Sequence, residues 1–260
     1  MLLAIDVGNT QTVIGMFTSG RGDQELLHHW RISSNAERTA DEMAMLVSQL
    51  LDLQGFDIDR TVTGIAVASV VPRVTAALRE MTEKWFPVKT VIVEPGIRTG
   101  MPILYDNPQD VGADRIADAV AAYELYGGPT IVIDFGTATT VEAISAAGEY
   151  LGGAIIPGIE ISLDALFGRA AALRRVELVE PRKVIGKNTV EAIQSGAVYG
   201  FAAQVDGLCA RFQKELGQEA TVVATGGLAG LIAPLAARID HHEPWLTLHG
   251  LRIIYERNVG

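Results

Sequence analysis

An internal repeat constrains this chain more than any other feature. Ala4-Ile5-Asp6-Val7-Gly8-Asn9-Thr10-Gln11-Thr12-Val13 can be laid without gaps on Val132-Ile133-Asp134-Phe135-Gly136-Thr137-Ala138-Thr139-Thr140-Val141. Each pair is offset by 128 positions, about half of the 260 residues. Self-similarity at this spacing implies a duplicated fold, with two similar strand–turn–strand units facing each other across a cleft. In each copy an apolar strand ends in Asp and a glycine turn follows. The glycine has no Cβ, so backbone N–H groups can come close to an anion. Thr or Asn adds neutral donors, and the Asp supplies a hard oxygen for a cation or its water. Mg²⁺ takes one or two carboxylates together with phosphates and waters, which suits two lobes meeting over a nucleotide. One such turn alone would be an ordinary Asx turn in a hairpin; the matched pair points to a phosphate site.

Strand and helix patterns alternate along the rest of the chain, and this order implies an α/β fold. Leu2–Val7, Thr12–Phe17, Thr61–Val71, Val88–Val93, Thr130–Asp134, Thr140–Ser145 and Ala220–Thr225 read as strands. Thr39-Ala40-Asp41-Glu42 is a capping-box pattern ahead of Met43, Leu46, Val47, Leu50 and Leu51 at helical spacing. Pro72 can open a helix with an apolar stripe of Val74, Ala77, Leu78, Met81 and Trp85. A helix from about Gly112 to Tyr126 buries Ile116, Ala119, Val120 and Tyr123, and Thr189 caps a long one that continues to Leu216 with Val190, Ile193, Ala197, Phe201, Val205, Leu208 and Phe212 on one side. The lobes are expected at 1–118 and 119–260, and Gly127-Gly128-Pro129 is the clearest linker-like segment.

Composition narrows the partners. The chain is 48% hydrophobic and 20% charged, enough to build cores and too apolar for a disordered chain. The net charge of −10 argues against a broad surface for nucleic acid or anionic membrane. A single cysteine, Cys209, excludes an intrachain disulfide and falls on the same helical pattern as Leu208. The five histidines, at 28, 29, 241, 242 and 249, lack the spacing of a zinc site. The N-terminal residues have no basic region, and the longest apolar stretch, around Gly226 to Ala237, is too short to span a bilayer. A soluble, cytoplasmic protein is expected. Gly196, Gly200 and Gly207 on the long helix suit either core packing or a homodimer seam, and the basic run Arg169, Arg174, Arg175, Arg182 and Lys183 either a solvated surface or a dimer contact.

A third glycine turn, Thr225-Gly226-Gly227, follows a strand and precedes a helix. Small residues there let a flat ring pass close to the backbone. No G-x-G-x-x-G follows the first strand and no P-loop lysine pattern exists. The order of the three turns resembles the nucleotide site of the actin, sugar kinase and heat-shock ATPase superfamily. That likeness implies two duplicated ribonuclease H-like, or actin-like ATPase, lobes around a nucleotide cleft, with two phosphate turns and an adenosine turn.

The acid–base candidate is Asp114, in Gly112-Ala113-Asp114-Arg115. On a helical wheel it lies opposite the Ile116–Tyr123 apolar face, with Asp118 one turn on. A carboxylate is favoured as an anion near a helix N-terminus, and Arg115 could pair with a phosphate or a carboxylate. Composition alone favours a solvated acidic face, with Asp114 merely helping to cap. Gly112–Arg115, Asp6–Thr10 and Asp134–Thr140 together resemble type III pantothenate kinase. So do Leu151-Gly152-Gly153-Ala154-Ile155-Ile156-Pro157-Gly158, Gly186-Lys187-Asn188-Thr189, Thr225-Gly226-Gly227 and Gly250-Leu251. The likeness covers nearly the whole chain.

The resemblance implies ATP-dependent phosphorylation of pantothenate, the first step towards coenzyme A. It implies that Asp6, Val7, Gly8, Asn9, Thr10, Gln11, Thr12 and Val13 hold ATP phosphates, with Asp6 on the Mg²⁺ shell and Thr137 also meeting ATP. Asp114 would be the general base. Gly112, Ala113, Arg115 and Thr189 would meet pantothenate, as would Tyr105, whose loop varies in the family. Asp134 would bind the monovalent cation, K⁺ or NH₄⁺, that the family requires, and the protein would be a homodimer. Three other readings compete: an ATPase or phosphatase using water as acceptor, a catalytically silent regulatory protein of the same fold, and, more distantly, a two-metal nuclease.

Overall fold

The seven apolar runs become strands of two five-stranded sheets, completed by three strands that the sequence pattern did not mark, in the computed structural model, which describes residues 1–18, 25–170 and 173–259. The first sheet contains β1 (Leu2–Val7), β2 (Gln11–Phe17), β3 (Leu26–Ser33), β4 (Gly64–Ser69) and β5 (Lys89–Ile92). Helices α1 (Ala40–Asp52) and α2 (Ile58–Thr61) lie between β3 and β4 in sequence, α3 (Pro72–Trp85) between β4 and β5, and α4 (Ala113–Tyr126) after β5. The second sheet contains β6 (Thr130–Phe135), β7 (Ala138–Ile144), β8 (Tyr150–Pro157), β9 (Thr221–Thr225) and β10 (His241–His242). Here α5 (Ile159–Arg169) and α6 (Thr189–Leu216) precede β9, α7 (Ala229–Ile232) precedes β10, and α8 (Leu246–Val259) ends the chain.

The two sheets have the same topology. The orders are β3-β2-β1-β4-β5 and, read from its other edge, β8-β7-β6-β9-β10. In each, an antiparallel meander leads into a parallel crossover, the connection that needs intervening helices. Burial repeats as well: β1 and β6 share one inward–outward pattern, and β2 and β7 match from their second residue on.

The duplication is real, but the ungapped alignment of its turns needs a correction. Val7 pairs with Thr12, whereas Phe135 pairs with Thr139, so the second turn is one residue shorter. The structural counterpart of Thr12 is therefore Thr139, not Thr140, and both are fully buried.

Each unit has its own core. Leu3, Ile5, Ile14, Met16, Val47, Ile65, Leu78 and Met81 anchor the first, and Ile131, Ile133, Val141, Val198, Val205, Val222 and Ile232 the second. Each fully buried side chain of this size contributes about 1.5–3 kcal/mol over an exposed one. The expected capping box is present: Thr39 Oγ1 accepts from Glu42 N–H, and the Glu42 carboxylate accepts from Thr39 N–H at 2.8 Å.

Four expectations change. Trp85 is half exposed rather than part of the α3 stripe, because its indole N–H donates to Asp41 at 2.7 Å. Asp118 is buried, not on an outward face in line with Asp114. The small residues Ala117, Ala119, Ala121 and Ala122 let α4 be covered on several sides, and Gly250 of α8 sits against the Ala117 backbone. Asn188, not Thr189, caps α6: its Oδ1 accepts from Glu191 N–H at 2.9 Å, which leaves Thr189 as the first helical residue. Val190 of the expected α6 apolar face is half exposed.

Backbone contacts divide the chain into Met1–Met101 with Asn107–Ala121 and Thr247–Gly260, and Pro102–Asp106 with Ala122–Leu246. The chain thus passes between units four times. Gly127-Gly128-Pro129 lies inside the second unit, where Gly127 N–H bonds Tyr123 O at the end of α4. Among the described residues no helix is long and apolar enough to cross a membrane.

Candidate active site

In the first unit the predicted residues gather at the carboxyl ends of β1 and β4, the edge at which open α/β sheets bind ligands. Asp6 and Val7 end β1, Gly8–Thr10 form the turn, and Gln11–Val13 begin β2. Gly8 N–H donates to Gln11 O at 3.0 Å and closes the turn. Val70, just past β4, donates its N–H to Val7 O at 3.1 Å, and Gly112 lies against the Val70 side chain. Val70 thus connects the end of β1 to the start of α4. Asp114 is partly buried there. Its Oδ1 accepts from Arg115 N–H at 2.8 Å and lies over Gly112, 2.5 Å from where a Cβ would be. Ala113 is buried and Arg115 is partly exposed.

Sequence reasoning missed Ser34, which holds the first turn from outside. Its hydroxyl donates to Gly8 O at 2.7 Å and lies 2.9 Å from Thr12 Oγ1, and its N–H donates to Thr10 O at 3.0 Å. No local signal marks it: Ser34 follows the mixed strand β3 and meets Thr12 from 22 positions away.

In the second unit Asp134 stands at the end of β6 and Thr137 is exposed in the turn. The Asp134 carboxylate occupies a cradle between two glycine turns. A Cβ on Gly136 would lie 3.3 Å from Oδ2, and one on Gly226 would collide with Oδ1 and come within 2.6 Å of Phe135 N. Gly226 has φ +94°, a conformation side-chain-bearing residues rarely adopt. The predicted second phosphate turn and the predicted adenosine turn therefore converge on one carboxylate. Gly158, at the N-terminus of α5, donates its N–H to Thr137 O at 3.1 Å. Thr189 is exposed at the start of α6. Tyr105 belongs to this unit too, on a short segment paired to Tyr150.

Among the described residues no group of three or more His, Cys, Asp and Glu could by itself hold a metal ion. A cavity of about 400 Å³ lined by Ser69, Val70, Pro72, Thr75, Ala76 and Arg79 flanks β4 but includes none of the predicted site residues. Cys209 is fully buried, and burial pushes its thiol up to about 12, as a packed rather than reactive cysteine requires.

The family model for type III pantothenate kinase matches residues 2–211. The chain belongs to the type III pantothenate kinase family. Type III pantothenate kinases of Streptomyces griseus and Moorella thermoacetica are each 57% identical to it, covering 99–100% of this chain and of their own. That of Myxococcus xanthus is 54% identical over 99% of both chains. Two solved structures support the fold alone. A Campylobacter jejuni protein named as a Baf family transcriptional activator aligns with TM-score 0.59 at 19% identity, covering 98% of each chain. An inorganic polyphosphate/ATP-glucomannokinase of Arthrobacter aligns with TM-score 0.50 at 14% identity, again over 98% of each chain. For a pantothenate kinase of this type, the repeated hairpins, the Asp114 helix and the Asp134 cradle are the parts of the fold that carry its sequence motifs.

Proposed function

We propose that the protein transfers the γ-phosphoryl group of ATP to the primary hydroxyl of pantothenate, giving 4′-phosphopantothenate and ADP, with Asp114 as the general base. Full-length membership in the pantothenate kinase family is the observation that carries this reading. It disfavours the silent regulatory protein and the ATPase as alternatives.

Phosphoryl transfer asks the protein mainly to position groups and neutralise charge. The pantothenate oxygen forms a bond to the γ-phosphorus as the bond to the β,γ-bridging oxygen breaks, and that electron pair leaves on ADP. The hydroxyl proton passes to the Asp114 carboxylate, which must lie within hydrogen-bond reach of it. The Arg115 N–H bond and the fold over Gly112 fix Asp114 in one orientation, so little ordering remains to be done on binding. The turn Asp6–Val13 holds ATP phosphates through its backbone and Thr10 and Asn9, and Thr137 adds a contact to ATP. Gly112, Ala113, Arg115, Thr189 and Tyr105 hold pantothenate.

Two cations complete the proposal. Asp6 takes part in the Mg²⁺ shell. Asp134 would hold K⁺ or NH₄⁺: its carboxylate, set between two glycine turns, offers a charged oxygen that attracts a monovalent cation. Such ions, when bound, offset the negative charge of the nucleotide in a protein that is itself acidic. We extend the reading to a cytoplasmic homodimer. Exposed apolar side chains of the second unit between residues 151 and 190, among them Ile155, Ile161, Val184 and Ile185, support an interface. The glycines Gly196, Gly200 and Gly207 of α6, which have open space at the Cβ position, support it as well.

ADP release with ATP and Mg²⁺, run with and without pantothenate and in Na⁺ against K⁺ or NH₄⁺, tests the proposal. Pantothenate-dependent release that requires K⁺ or NH₄⁺ is expected. Release indifferent to pantothenate would refute the kinase, and equal rates in Na⁺ would remove the cation from Asp134.

A further inference from the structure

Glu142 and Tyr150 form a buried polar pair that the proposed chemistry does not use. Glu142 is 1% exposed and Tyr150 not at all, and the Tyr150 hydroxyl donates to Glu142 Oε2. Burying a carboxyl group costs several kcal/mol unless its hydrogen bonds are met. An apolar pair would fill the same space at less cost, so this one implies a demand for orientation.

What it orients lies next to it. Residues Pro102–Asp106 run beside the first residue of β8, and Tyr150 holds them with both of its backbone hydrogen-bonding groups. Its N–H donates to Pro102 O at 2.9 Å, and its C=O accepts from Leu104 N–H at 2.8 Å. The Tyr150 ring meets the Tyr105 ring edge-on, centroids 6.3 Å apart at 61°. Tyr105 also lies over Gly152, with two ring carbons 3.4 Å from where a Cβ would be. Gly153 provides room on the opposite side: a Cβ there would collide with Val141 O and the Glu142 carboxylate. The two glycines of Leu151-Gly152-Gly153 thus serve different neighbours, one the Tyr105 ring and the other Glu142.

We infer that Glu142 and Tyr150 are positioning residues that hold the Tyr105 ring in place for pantothenate, with Gly152 as the seat of that ring. The inference rests on the assignment of Tyr105 to the pantothenate site. An edge-on aromatic contact is worth roughly 2- to 12-fold in an equilibrium constant.

The test is a double-mutant cycle read as KM for pantothenate, KM for ATP and kcat. Tyr150→Leu should raise KM for pantothenate by about that factor and leave KM for ATP unchanged. In a Tyr105→Ala background the same change should have no further effect. Glu142→Gln, which can still accept the Tyr150 hydroxyl, should stay near wild type where Glu142→Leu does not. If Tyr150→Leu does not fold, Tyr150→Phe keeps the ring but loses its tie, and should raise KM for pantothenate alone by at least about twofold. A Tyr150 effect that persists undiminished without Tyr105, or that shifts both KM values equally, would overturn the inference and leave the Tyr105 assignment standing. A Tyr105→Ala enzyme with unchanged KM for pantothenate would overturn both.

Discussion

Asp114→Asn separates the chemistry of Asp114 from its structural part. The side-chain Oδ1 accepts from Arg115 N–H at 2.8 Å and is folded over Gly112. An Asn amide oxygen can accept the same bond in the same volume, so the start of α4 should keep its shape and the melting temperature should change little. Proton acceptance is lost. A positioned general base contributes typically about 10²–10⁴-fold, which at about 1.4 kcal/mol per decade is roughly 3–5 kcal/mol of barrier. A coupled assay of ADP release at saturating ATP, pantothenate and K⁺ should therefore show kcat reduced by about two to four decades. KM for ATP should stay near wild type, because Asp114 is assigned to the acceptor hydroxyl rather than to the nucleotide. A kcat within about threefold of wild type, in a variant that melts normally, would refute the base assignment, since that factor is far below what a base supplies. Loss of ATP affinity in step with kcat would instead make Asp114 part of the nucleotide site.

Three further outcomes follow from named contacts. Gly226→Ala should raise the K⁺ concentration for half-maximal activity and cost at least about 1–2 kcal/mol from the left-handed backbone alone, because the new methyl meets Asp134 Oδ1 and Phe135 N; an unchanged K⁺ titration would detach the cation from Asp134. Thr39→Ala should destabilise the protein by about 1 kcal/mol in thermal or urea melts at neutral pH. Thr39 N–H and then the Thr39 hydroxyl hold the Glu42 carboxyl below its ordinary 4.5. The advantage of the box is therefore present above that value and fades as pH falls through the lower folded-state value, so the two proteins should converge in acid; a gap that widens there would contradict the capping role. Cys209, with its thiol near 12, should resist Ellman's reagent at pH 8 in the native protein and react fully in denaturant. Fast native labelling would show that α6 opens readily.

Seven of the ten described strands were legible, because apolar runs bounded by Gly, Asp and Pro leave few alternatives; β3, β8 and β10 have no continuous buried run and were not legible. Leu2–Val7 matches to the residue, and Thr130–Asp134 falls one residue short of β6. The capping box was legible because it is a local contact between residues three apart. What stayed hidden depends on a partner far away in sequence. Asp118 reads as outward on a wheel built from one apolar face, and only the coverage of the other side of α4 makes it buried. Trp85 reads as core until Asp41, 44 positions away, offers its indole an acceptor. Glu142 and Tyr150 look like any strand residues until β7 and β8 pair. Nothing in the local pattern near Tyr105 says that its segment is held by Tyr150.

The repeat shows the same division at finer grain. Counted by strand register, Ser33 pairs with Gln11 and Pro157 with Ala138, so Ser34 and Gly158 occupy equivalent places. Both make the same backbone bond, from Ser34 N–H to Thr10 O and from Gly158 N–H to Thr137 O. They differ in what else they supply. The Ser34 hydroxyl satisfies Thr12 and Gly8. Gly158 has no side chain to offer, and Thr139 Oγ1 is buried with no hydrogen-bond partner among the described residues. A serine could not be restored there, because its Cβ would come within 2.6 Å of Gly136 O. That close approach is what seats the N-terminus of α5 on the second turn. Two hairpins that look alike in sequence thus hold their turns by different means, a hydroxyl bridge in one and direct backbone packing in the other. The ungapped match of Thr12 to Thr140 conceals the difference, since it pairs the buried threonine of one copy with the wrong residue of the other.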